Sequence, residues 1–352
     1  MVEYKRLLVS GAAGFIGSWL CQDLLKRGHF VIGVDDLSGG FYENVAPFLQ
    51  EYPHQFLFYQ TDVGNRNAMT EIFLSHRPQI VVHCASNARE SASFFSPCDI
   101  IYRNAMIGAT LLELGILHKM QRFVFTSSIS VYGNGKPPFD ERMKRAPVDP
   151  YGVSKMATEM MIEQLAKVHG FSYIIIRPHN VFGCQQSLVD PFRNVIAIQM
   201  NRLMRKEPLY IYGDGTHTRA FSYIEDSLPC FIRATLNETL TNEIINLGGK
   251  EEITINDMVR AVIDEMIGPG AEYPIIYTEP RHGEVPHAFS TWQKSVDLLG
   301  YEENIGWKSG VVRMATFAKH KGPQSWRFSP LAIPTDAIPE PWKILHNFKV
   351  DK

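Results

Sequence analysis

Two kinds of hydrophobic pattern, short apolar runs and longer amphipathic stretches, alternate along the first half of the chain. Between short apolar runs lie longer stretches with apolar residues at helical spacing, such as SWLCQDLLKRG (18–28) and AMIGATLLELGILHKM (105–120). Buried strands that alternate with amphipathic helices predict βαβ units, a parallel sheet and right-handed crossovers. The apolar runs, each ending in small or polar residues, are 6–11, 30–36, 56–62, 80–86 and 122–128.

The second half of the chain carries a weaker version of the same pattern. FSYIIIRPHNVFG (171–183) predicts a further buried strand that ends at Pro178, and EIINLGG (243–249) predicts a strand that returns to the sheet. ITINDMVRAVIDEMIG (253–268) has the apolar spacing of a helix. From about residue 322 the chain is rich in proline, which predicts an irregular extension. Because a chain of 352 residues usually divides its core, we expect two closely packed domains.

Composition and charge exclude several classes of protein. The formal net charge is −2, so nothing favours binding to nucleic acid or to an anionic membrane surface. No apolar run approaches the roughly 20 residues of a membrane span. The start, MVEYKRLLVSGAAGFIG, lacks the pattern of a signal peptide. The five cysteines are scattered without a C-x-x-C pair, which argues against a disulfide framework or a zinc site and predicts a cytoplasmic protein.

A glycine-rich turn follows the first predicted strand. SGAAGFIG (10–17) precedes an amphipathic helix, and the second strand ends in Asp35 and Asp36. Glycines in this setting permit a tight turn, close approach of the backbone to a pyrophosphate and close packing of helix on strand. Asp35 can accept hydrogen bonds from a ribose diol and would repel a 2′-phosphate, so the pattern favours NAD over NADP. Asp62, at the end of the third strand, is a candidate for the adenine side or only a turn former.

A second pair of segments carries candidate chemistry. DPYGVSK (149–155) predicts a helix with Asp149 as N-cap and a proline in its first turn, and it places Tyr151 and Lys155 on one face. In isolation this pair would be solvated helix surface. An earlier strand that ends in TSSIS (126–130) offers hydroxyl groups beside it. A neighbouring ammonium and an oxidised nicotinamide both favour the phenolate, so the tyrosine becomes a base for hydride-transfer chemistry.

Together these segments resemble the extended short-chain dehydrogenase/reductases, specifically their nucleotide-sugar epimerase/dehydratase branch. The resemblance covers roughly residues 5–300 and implies an α/β fold, a Rossmann-type doubly wound parallel sheet with a smaller C-terminal α/β substrate-binding domain. It places an NAD-binding domain at 1–178 with a return segment at about 220–260, a nucleotide-sugar-binding domain mainly at 179–320, and a proline-rich extension at 321–352. The motifs that carry it are GAAGFIG, VDDL, HCAS, FTSSISVYG, PYGVSK, RPHNVFG, GDGTHTRAFSYIED and PRHGEVPHAF.

The resemblance also implies site residues. Tyr151 is the catalytic base, Lys155 its pKa partner and a ligand of the nicotinamide ribose, and Ser128 the hydroxyl that completes the triad. Ser127 is the alternative in register. The implied NAD-binding residues are Gly11, Gly14, Phe15, Ile16, Gly17, Asp35, Asp36, Asp62, Val63, His83, Ala85, Asn104, Tyr151, Lys155 and Pro178. The implied substrate-binding residues are Ser128, Asn180, Arg219, Arg281 and Ala288, with no metal.

Asn180 and the two arginines would hold the substrate diphosphate, to which the planar guanidinium fork is suited. Contacts of Arg89, Glu90 and Ser91 with the sugar stay open, and His179 is either a ring contact or a packed neighbour. A small residue at 288 should leave room for a 2-acetamido group, because a methyl cannot exclude bulk.

The residues after the catalytic hydroxyl indicate the reaction. Family dehydratases carry an Asp-Glu pair there, whereas this chain has Ile129 and Ser130. The glutamate typical of glucuronate decarboxylases is missing too. We therefore expect a UDP-hexose 4-epimerase that acts on UDP-glucose and UDP-galactose or their N-acetylated counterparts. The alternatives are another NAD-dependent nucleotide-sugar enzyme, such as a C2 or uronate epimerase or a reductase, and a non-catalytic cofactor-binding protein. Relatives usually dimerise through two long helices, here about 97–118 and 152–168, so a homodimer is expected.

Overall fold

Parallel strands form the central sheet of the computed structural model, which describes residues 4–346. The first three residues of the predicted first domain and residues 347–352 of the predicted extension lie outside the described residues. The strands are β1 Arg6–Ser10, β2 Phe30–Asp35, β3 Phe56–Gln60, β4 Ile80–His83, β5 Arg122–Thr126, β6 Ser172–Pro178, β7 Val181–Phe182, β8 Leu209–Tyr212, β9 Thr218–Ala220, β10 Ser222–Tyr223, β11 Glu243–Leu247, β12 Glu252–Thr254, β13 Ile275–Thr278 and β14 His287–Ala288.

The α-helices connect these strands and cover the sheet. They are α1 Phe15–Lys26, α2 Ala46–Glu51, α3 Arg66–His76, α4 Pro97–Ile101, α5 Ile107–Leu117, α6 Pro150–His169, α7 Val195–Met204, α8 Ile224–Leu236, α9 Ile255–Met266, α10 Gln293–Leu299, α11 Gly306–Lys321 and α12 Glu340–His346. A π-helical turn, Tyr102–Met106, joins α4 to α5 in one continuous helix.

The main sheet has the strand order β11-β6-β5-β4-β1-β2-β3, and all of its pairings are parallel. The chain runs outward from β1 to β3, then crosses back to β4 and runs outward in the other direction. The order therefore reverses between β1 and β4, which is the switch point of a doubly wound sheet. The predicted α/β fold class is confirmed.

Alternate residues of the strands face the two layers of helices. On β1, Leu7 and Val9 pack with α1 and α8, whereas Leu8 packs on the opposite face with α3, α5 and α6. Both faces are largely apolar because both are covered, as is usual for parallel sheets. Helix α1 lies in one of these layers and α6 lies in the other. Both helices begin at the same edge of the sheet.

A second core lies within the C-terminal half. Helices α7, α9 and α11 enclose it with buried side chains that include Met200, Met258 and Trp307. The short strands form a three-stranded sheet in the order β12-β9-β14 and the two pairs β10-β7 and β13-β8. Helix α8 and strand β11 instead belong to the first core, in which Phe231 and Leu247 are buried.

By length and composition, one described helix, Pro97–Leu117, could cross a membrane, with a mean hydropathy of 1.4. Half of it is buried inside the fold. Leu111, Leu112 and Leu114 pack into the core beside the sheet, as the core helix of a globular protein does.

The proline-rich extension has an irregular backbone as far as residue 339, as predicted, and then forms α12, which the sequence pattern did not predict. Helix α12 begins directly after Pro339 and carries Glu340 in its first turn, where the helix dipole favours an acid. Trp342 in this helix is only 2% exposed. A buried tryptophan contributes enough apolar surface to hold a short helix that would be marginal alone.

Candidate active site

A cavity of about 470 Å³ opens at the carboxyl ends of β1, β4, β5 and β6. Open parallel sheets bind ligands at this edge, beside the switch point of the strand order. The glycine loop and the strand ends form one wall. The opposite wall comes from residues of the C-terminal half, within 178–219 and 281–288. The cavity therefore lies between the two cores and could hold two adjoining ligands.

The glycine loop fits a pyrophosphate because its backbone is not covered by side chains. Gly11 has a positive φ of 73°, and a Cβ there would lie 2.6 Å from the Ala85 nitrogen. A Cβ on Gly17 would lie 2.0 Å from the Gly11 oxygen. Gly14 is the N-cap of α1, so the unpaired N–H groups of this helix face the cavity. Only glycines allow this turn, and the geometry fits the phosphates of a dinucleotide.

Asp35 lies at the end of β2 and holds the loop in place. Its two carboxylate oxygens accept hydrogen bonds from the Ala13 N–H (3.0 Å) and the Leu37 N–H (2.8 Å). Burial raises the pKa of Asp35, and these hydrogen bonds oppose the shift. The carboxylate lines the cavity beside the loop, where the ribose diol of a dinucleotide would meet it.

Most other residues predicted to bind NAD also line the cavity. Asp62 accepts hydrogen bonds from the Gly64 N–H (2.7 Å) and the Tyr102 hydroxyl (3.2 Å), so it closes the turn after β3 as well as facing the cavity. Asp36 accepts a hydrogen bond from Arg103 at 2.8 Å. The cavity-lining residues in this set are Phe15, Ile16, Asp36, Asp62, Val63, Ala85 and Pro178.

His83 and Asn104 lie behind the cavity wall rather than in it. The His83 ring stacks on Phe125 with centroids 5.4 Å apart, and its Nδ1 is 2.7 Å from the Ser10 hydroxyl. Burial lowers the pKa of His83 to about 3, so the ring is neutral. Asn104 accepts a hydrogen bond from the Asn87 N–H (2.8 Å) and thereby shapes a loop that does line the cavity.

Helix α6 carries Tyr151 and Lys155 into the cavity. Asp149 caps its first turn by accepting a hydrogen bond from the Gly152 N–H (2.7 Å), and Pro150 is the first helical residue. Tyr151 is 5% exposed and Lys155 is 3% exposed. The ammonium of Lys155 donates to the Thr126 carbonyl (2.9 Å) at the end of β5 and lies 5.6 Å from the centroid of the Tyr151 ring.

The two serines after β5 have different partners. The Ser128 hydroxyl lies close enough to the Tyr151 phenol to lower its pKa, and it accepts a hydrogen bond from the Ser130 hydroxyl at 2.9 Å. The Ser127 hydroxyl instead donates to Glu159 (2.5 Å), a buried carboxylate that also binds Arg177. The structure therefore points Ser128 at Tyr151 and ties Ser127 into the core.

Burial is the largest influence on the pKa of both helical residues. It lowers the pKa of Lys155 to about 7. Burial, followed by the nearby Glu90 carboxylate, raises the pKa of Tyr151 well above its ordinary value, while the hydrogen bond to Ser128 acts in the opposite direction. Among side chains, Glu90 and Ser128 act most strongly on this pKa, and the lowering expected from Lys155 and the nicotinamide together remains a prediction.

Arg219 and Arg281 converge on the far side of the cavity. A single carboxylate, Glu284, joins them: it accepts from Arg219 (2.5 Å) and from Arg281 (2.7 Å). Burial acts to raise the pKa of Glu284, but the two guanidinium groups outweigh it and hold the pKa below the ordinary value. The Arg281 guanidinium also lies 4.6 Å from the centroid of the Tyr212 ring. Glu90 also acts electrostatically on both guanidinium groups, so two carboxylates accompany the two cations here. The guanidinium forks supply the paired donors that suit a diphosphate.

The remaining predicted substrate residues also lie on this wall. Asn180 has a φ of 26° and donates from its amide to the Ala220 carbonyl (3.2 Å), and its side chain is exposed to the cavity. Ala288 is 7% exposed and packs beside Ile129. His179 is a packed neighbour, since its ring lies 2.6 Å from the Ser290 hydroxyl and burial lowers its pKa to about 3.

Several cavity residues were not identified by sequence reasoning. Glu284 stands within the quoted PRHGE motif, and a carboxylate three residues after an arginine is a signal that could have been used. Tyr212 had no such signal. Glu90 was named only as an open contact of the sugar, and its action on Tyr151 depends on a tertiary contact. Trp342, which lines the cavity from the C-terminal extension, was not identified.

Comparisons with known proteins agree with this geometry. A UDP-glucuronate 4-epimerase from Thermodesulfobacterium geofontis is 31% identical over 320 residues, which cover 89% of this chain and 95% of the relative. A putative UDP-glucose 4-epimerase from Methanocaldococcus jannaschii is 30% identical over 318 residues, which cover 89% of this chain and 98% of the relative. The crystal structure of the Thermotoga maritima UDP-glucose 4-epimerase with UDP-glucose superposes with a TM-score of 0.81 at 31% identity, covering 90% and 99%.

The family comparison spans most of the chain. The model of the NAD dependent epimerase/dehydratase family matches residues 7–248, from the first strand of the sheet to the end of β11. This range includes the glycine loop, Ser128, Tyr151, Lys155 and Arg219. The chain belongs to the NAD-dependent epimerase/dehydratase family, whose members act on nucleotide sugars.

Proposed function

We propose that this protein is an NAD-dependent UDP-hexose 4-epimerase. One observation carries the proposal: the Ser128–Tyr151 pair faces a cavity bounded by the glycine loop on one side and by Arg219 and Arg281 on the other. A nucleotide sugar whose diphosphate lies on the arginines would present its sugar ring to Tyr151. We further propose a cytoplasmic location, since all five cysteines are free.

The residues of this chain have separable tasks in the proposed reaction. Tyr151 takes the proton from the 4-hydroxyl of the sugar, and Ser128 orients that hydroxyl. Arg219, Arg281 and Asn180 hold the diphosphate, so the binding energy is concentrated away from the sugar and leaves it free to turn over. The glycine loop and Asp35 would hold NAD, which would supply a reversible hydride acceptor for C4. Tyr151 would return the proton to the 4-keto oxygen when the hydride comes back.

The raised pKa of Tyr151 has a consequence for this mechanism. A buried phenol beside Glu90 stays protonated at neutral pH unless positive charge approaches it. The oxidised nicotinamide carries that charge, and Lys155 stands at the same end of the cavity. We therefore propose that Tyr151 becomes an effective base only in the protein loaded with oxidised cofactor.

The residues at positions 129 and 130 support epimerisation over elimination of water from the sugar. Ile129 is apolar and 8% exposed, and the Ser130 hydroxyl is committed to Ser128. Neither group can protonate and deprotonate the sugar at C5 and C6, as loss of water would require.

The charges around the sugar end support a neutral hexose over a uronate. Glu90 lines the cavity and acts electrostatically on Tyr151. The carboxylate of a uronate sugar would therefore be repelled by the Glu90 carboxylate. The nearby cations Arg89 and Arg193 are both paired with Asp190, at 3.0 and 3.1 Å. A uronate carboxylate would have to compete with Asp190 for Arg89, whose Nε donates a hydrogen bond to that carboxylate.

The test is NMR spectroscopy of the sugar signals after incubation with UDP-glucose, UDP-N-acetylglucosamine and UDP-glucuronate in separate samples, each with and without added NAD. We expect inversion at C4 of UDP-glucose, and turnover of UDP-glucuronate at least about tenfold slower because of the like charge. The N-acetylated sugar tests whether Ala288 leaves room for the acetamido group.

The matched control is Tyr151→Phe, which keeps the ring and removes the acidic proton. We expect it to lower the rate by about 10²–10⁴, the usual contribution of general acid–base catalysis. Inversion of UDP-glucuronate in preference to UDP-glucose would contradict the hexose assignment. No change in any of the three sugars with NAD present would overturn the 4-epimerase proposal.

A further inference from the structure

The proline-rich segment 323–343, here called the C-terminal strap, runs along the active-site cavity. It leaves the last long helix of the C-terminal half after Gly322 and is first fixed to α7. The Gln324 N–H donates to the Asn201 side chain (2.9 Å), and the Asn201 amide donates back to the Gln324 carbonyl (3.0 Å). This reciprocal pair sets the direction in which the strap leaves the C-terminal core.

The strap then crosses to the cofactor side of the cavity. The Arg327 guanidinium donates to the Leu37 carbonyl (2.9 Å), two residues after Asp35 at the end of β2. Farther along, the Ile333 N–H donates to the Phe95 carbonyl (2.9 Å). The strap is therefore bonded to both walls of the cavity.

Trp342 anchors the far end of the strap among three aromatic rings. Its ring centroid lies 4.9 Å from that of Phe192, 6.3 Å from that of Phe95 and 6.4 Å from that of Tyr212. The interplanar angles of 82°, 88° and 67° are the edge-to-face arrangements that aromatic pairs prefer. Leu331 and Ile338 of the strap are buried in the same cluster. The tryptophan also lines the cavity.

One of these rings connects Trp342 to the predicted diphosphate site. Tyr212 carries the Arg281 guanidinium on its face at 4.6 Å, and Arg281 in turn shares Glu284 with Arg219. If Tyr212 lost the indole beside it, its ring could move, and Arg281 would lose the surface that orients its donors. A small displacement of a bidentate donor is enough to weaken its hydrogen bonds.

We propose that the C-terminal strap is part of the substrate site, with Trp342 as a positioning residue that holds Tyr212, and through it Arg281, in place for the diphosphate of the nucleotide sugar. The inference rests on the proposed function for the identity of that ligand. The strap completes a wall of the cavity and also ties the loop after β2 to the C-terminal half.

The test compares Trp342→Ala, Trp342→Phe and the wild-type full-length protein. Binding of UDP is measured by isothermal titration calorimetry, and KM and kcat are measured with UDP-glucose. We expect Trp342→Ala to raise the Kd for UDP and the KM about tenfold, as for partial loss of one charge-assisted hydrogen bond. We expect kcat to change by less than about threefold, because Tyr151 and Ser128 are untouched. Trp342→Phe should restore most of the affinity.

Trp292→Ala is the matched control. Trp292 is 37% exposed, lies 4.7 Å from the Lys250 ammonium and does not line the cavity. Thermal unfolding of all variants shows whether each is folded at the assay temperature. If Trp342→Ala does not fold, Trp342→Phe and Trp342→Leu are compared in its place, and the same order of affinities is expected.

Three outcomes decide between this inference and the proposed function. If the wild-type protein epimerises UDP-glucose and a folded Trp342 variant keeps wild-type Kd and KM, the positioning role is wrong and the function stands. A fall in kcat at unchanged KM would also overturn the inference. If the wild-type protein does not bind UDP, the proposed function fails and the inference fails with it.

Discussion

At the scale of single residues, the environment of Tyr151 decides its chemistry. Sequence spacing places Lys155 beside it, but the ammonium donates to the Thr126 carbonyl and burial lowers its pKa to about 7. The largest electrostatic influence on the phenol from a side chain is Glu90, which raises its pKa. Glu90, which lies outside the recognised motifs, therefore affects the pKa of the base more than Lys155 does.

Neutralising Glu90 should make Tyr151 a stronger acid. The base must be deprotonated, so the rate rises with pH through the pKa of Tyr151. Removing the negative charge in Glu90→Gln favours the phenolate and lowers that pKa. We expect the acid limb of the pH profile of kcat/KM for UDP-glucose to move to lower pH, measured between about pH 5 and pH 9.

Glu272→Gln provides the control for this prediction, because Glu272 is exposed and lies outside the cavity. Its pH profile should match that of the wild type. An acid limb that stays in place in Glu90→Gln would show that Glu90 does not act on the base during turnover.

At the scale of elements, the start of α6 combines a structural and an electrostatic task. Asp149 caps the helix that carries Tyr151 and Lys155. Burial, and next the Glu90 carboxylate, raise the pKa of Asp149 from 3.8 to about 7. The cap could be read from the sequence because an aspartate before proline is a local signal. The raised pKa of Asp149 could not be read from the sequence, since Glu90 is 59 residues away in the chain.

The raised pKa predicts how stability depends on pH. Between about pH 4 and pH 7 the folded protein holds a proton on Asp149 that the unfolded chain has released, so this group's contribution to stability falls as pH rises through that window. Asp149→Asn keeps the cap as a neutral acceptor. We expect the unfolding free energy of this variant to exceed that of the wild type by more at pH 7.5 than at pH 5, as measured by urea denaturation. The variant is thus relatively more stable at the higher pH.

Asp257→Asn, in the exposed first turn of α9, controls for loss of a surface carboxylate. The difference between this control and the wild type should be nearly the same at both pH values. An equally flat difference for Asp149→Asn would contradict a raised pKa at Asp149.

At the scale of the whole molecule, two long helices leave apolar side chains on the surface. Met106 is 55% exposed on the helix Pro97–Leu117, and Met160 and Val153 are 49% and 40% exposed on α6. Exposed apolar residues collected on two adjoining helices indicate a protein interface. They match the pair of helices that the sequence resemblance assigns to dimerisation, and the homodimer remains a prediction.

We expect light scattering coupled to size-exclusion chromatography to give twice the mass of one chain. Met160→Lys places a charge within the apolar face and should shift the protein toward the monomer, because an unpaired buried charge is costly in an interface. Ile267→Lys is the matched control, since Ile267 is 51% exposed at the end of α9, away from both helices. A wild-type monomer, or equal masses for both variants, would contradict this interface.

Much of the fold could be predicted from local patterns. The apolar runs that became β1 to β6, the glycine turn before α1 and the Asp-Pro start of α6 are each specified by residues close together in the chain. The strand at 243–247 was also predicted from its apolar run. Helix α12 was missed because its short, proline-flanked sequence has little helical preference, and its stability comes from burial of Trp342.

The cofactor loop, the pair Tyr151 and Lys155, and the family could all be read from the chain alone, because they depend on residue type at fixed local spacing. Only the tertiary structure decided which serine meets Tyr151, that Glu284 joins the two arginines, that Glu90 faces the base and that the C-terminal strap lines the cavity. The physical reason is distance along the chain. Hydrogen bonds, charges and ring contacts act over a few ångströms in space, and apart from Arg281 and Glu284 the groups that they join here lie tens to hundreds of residues apart.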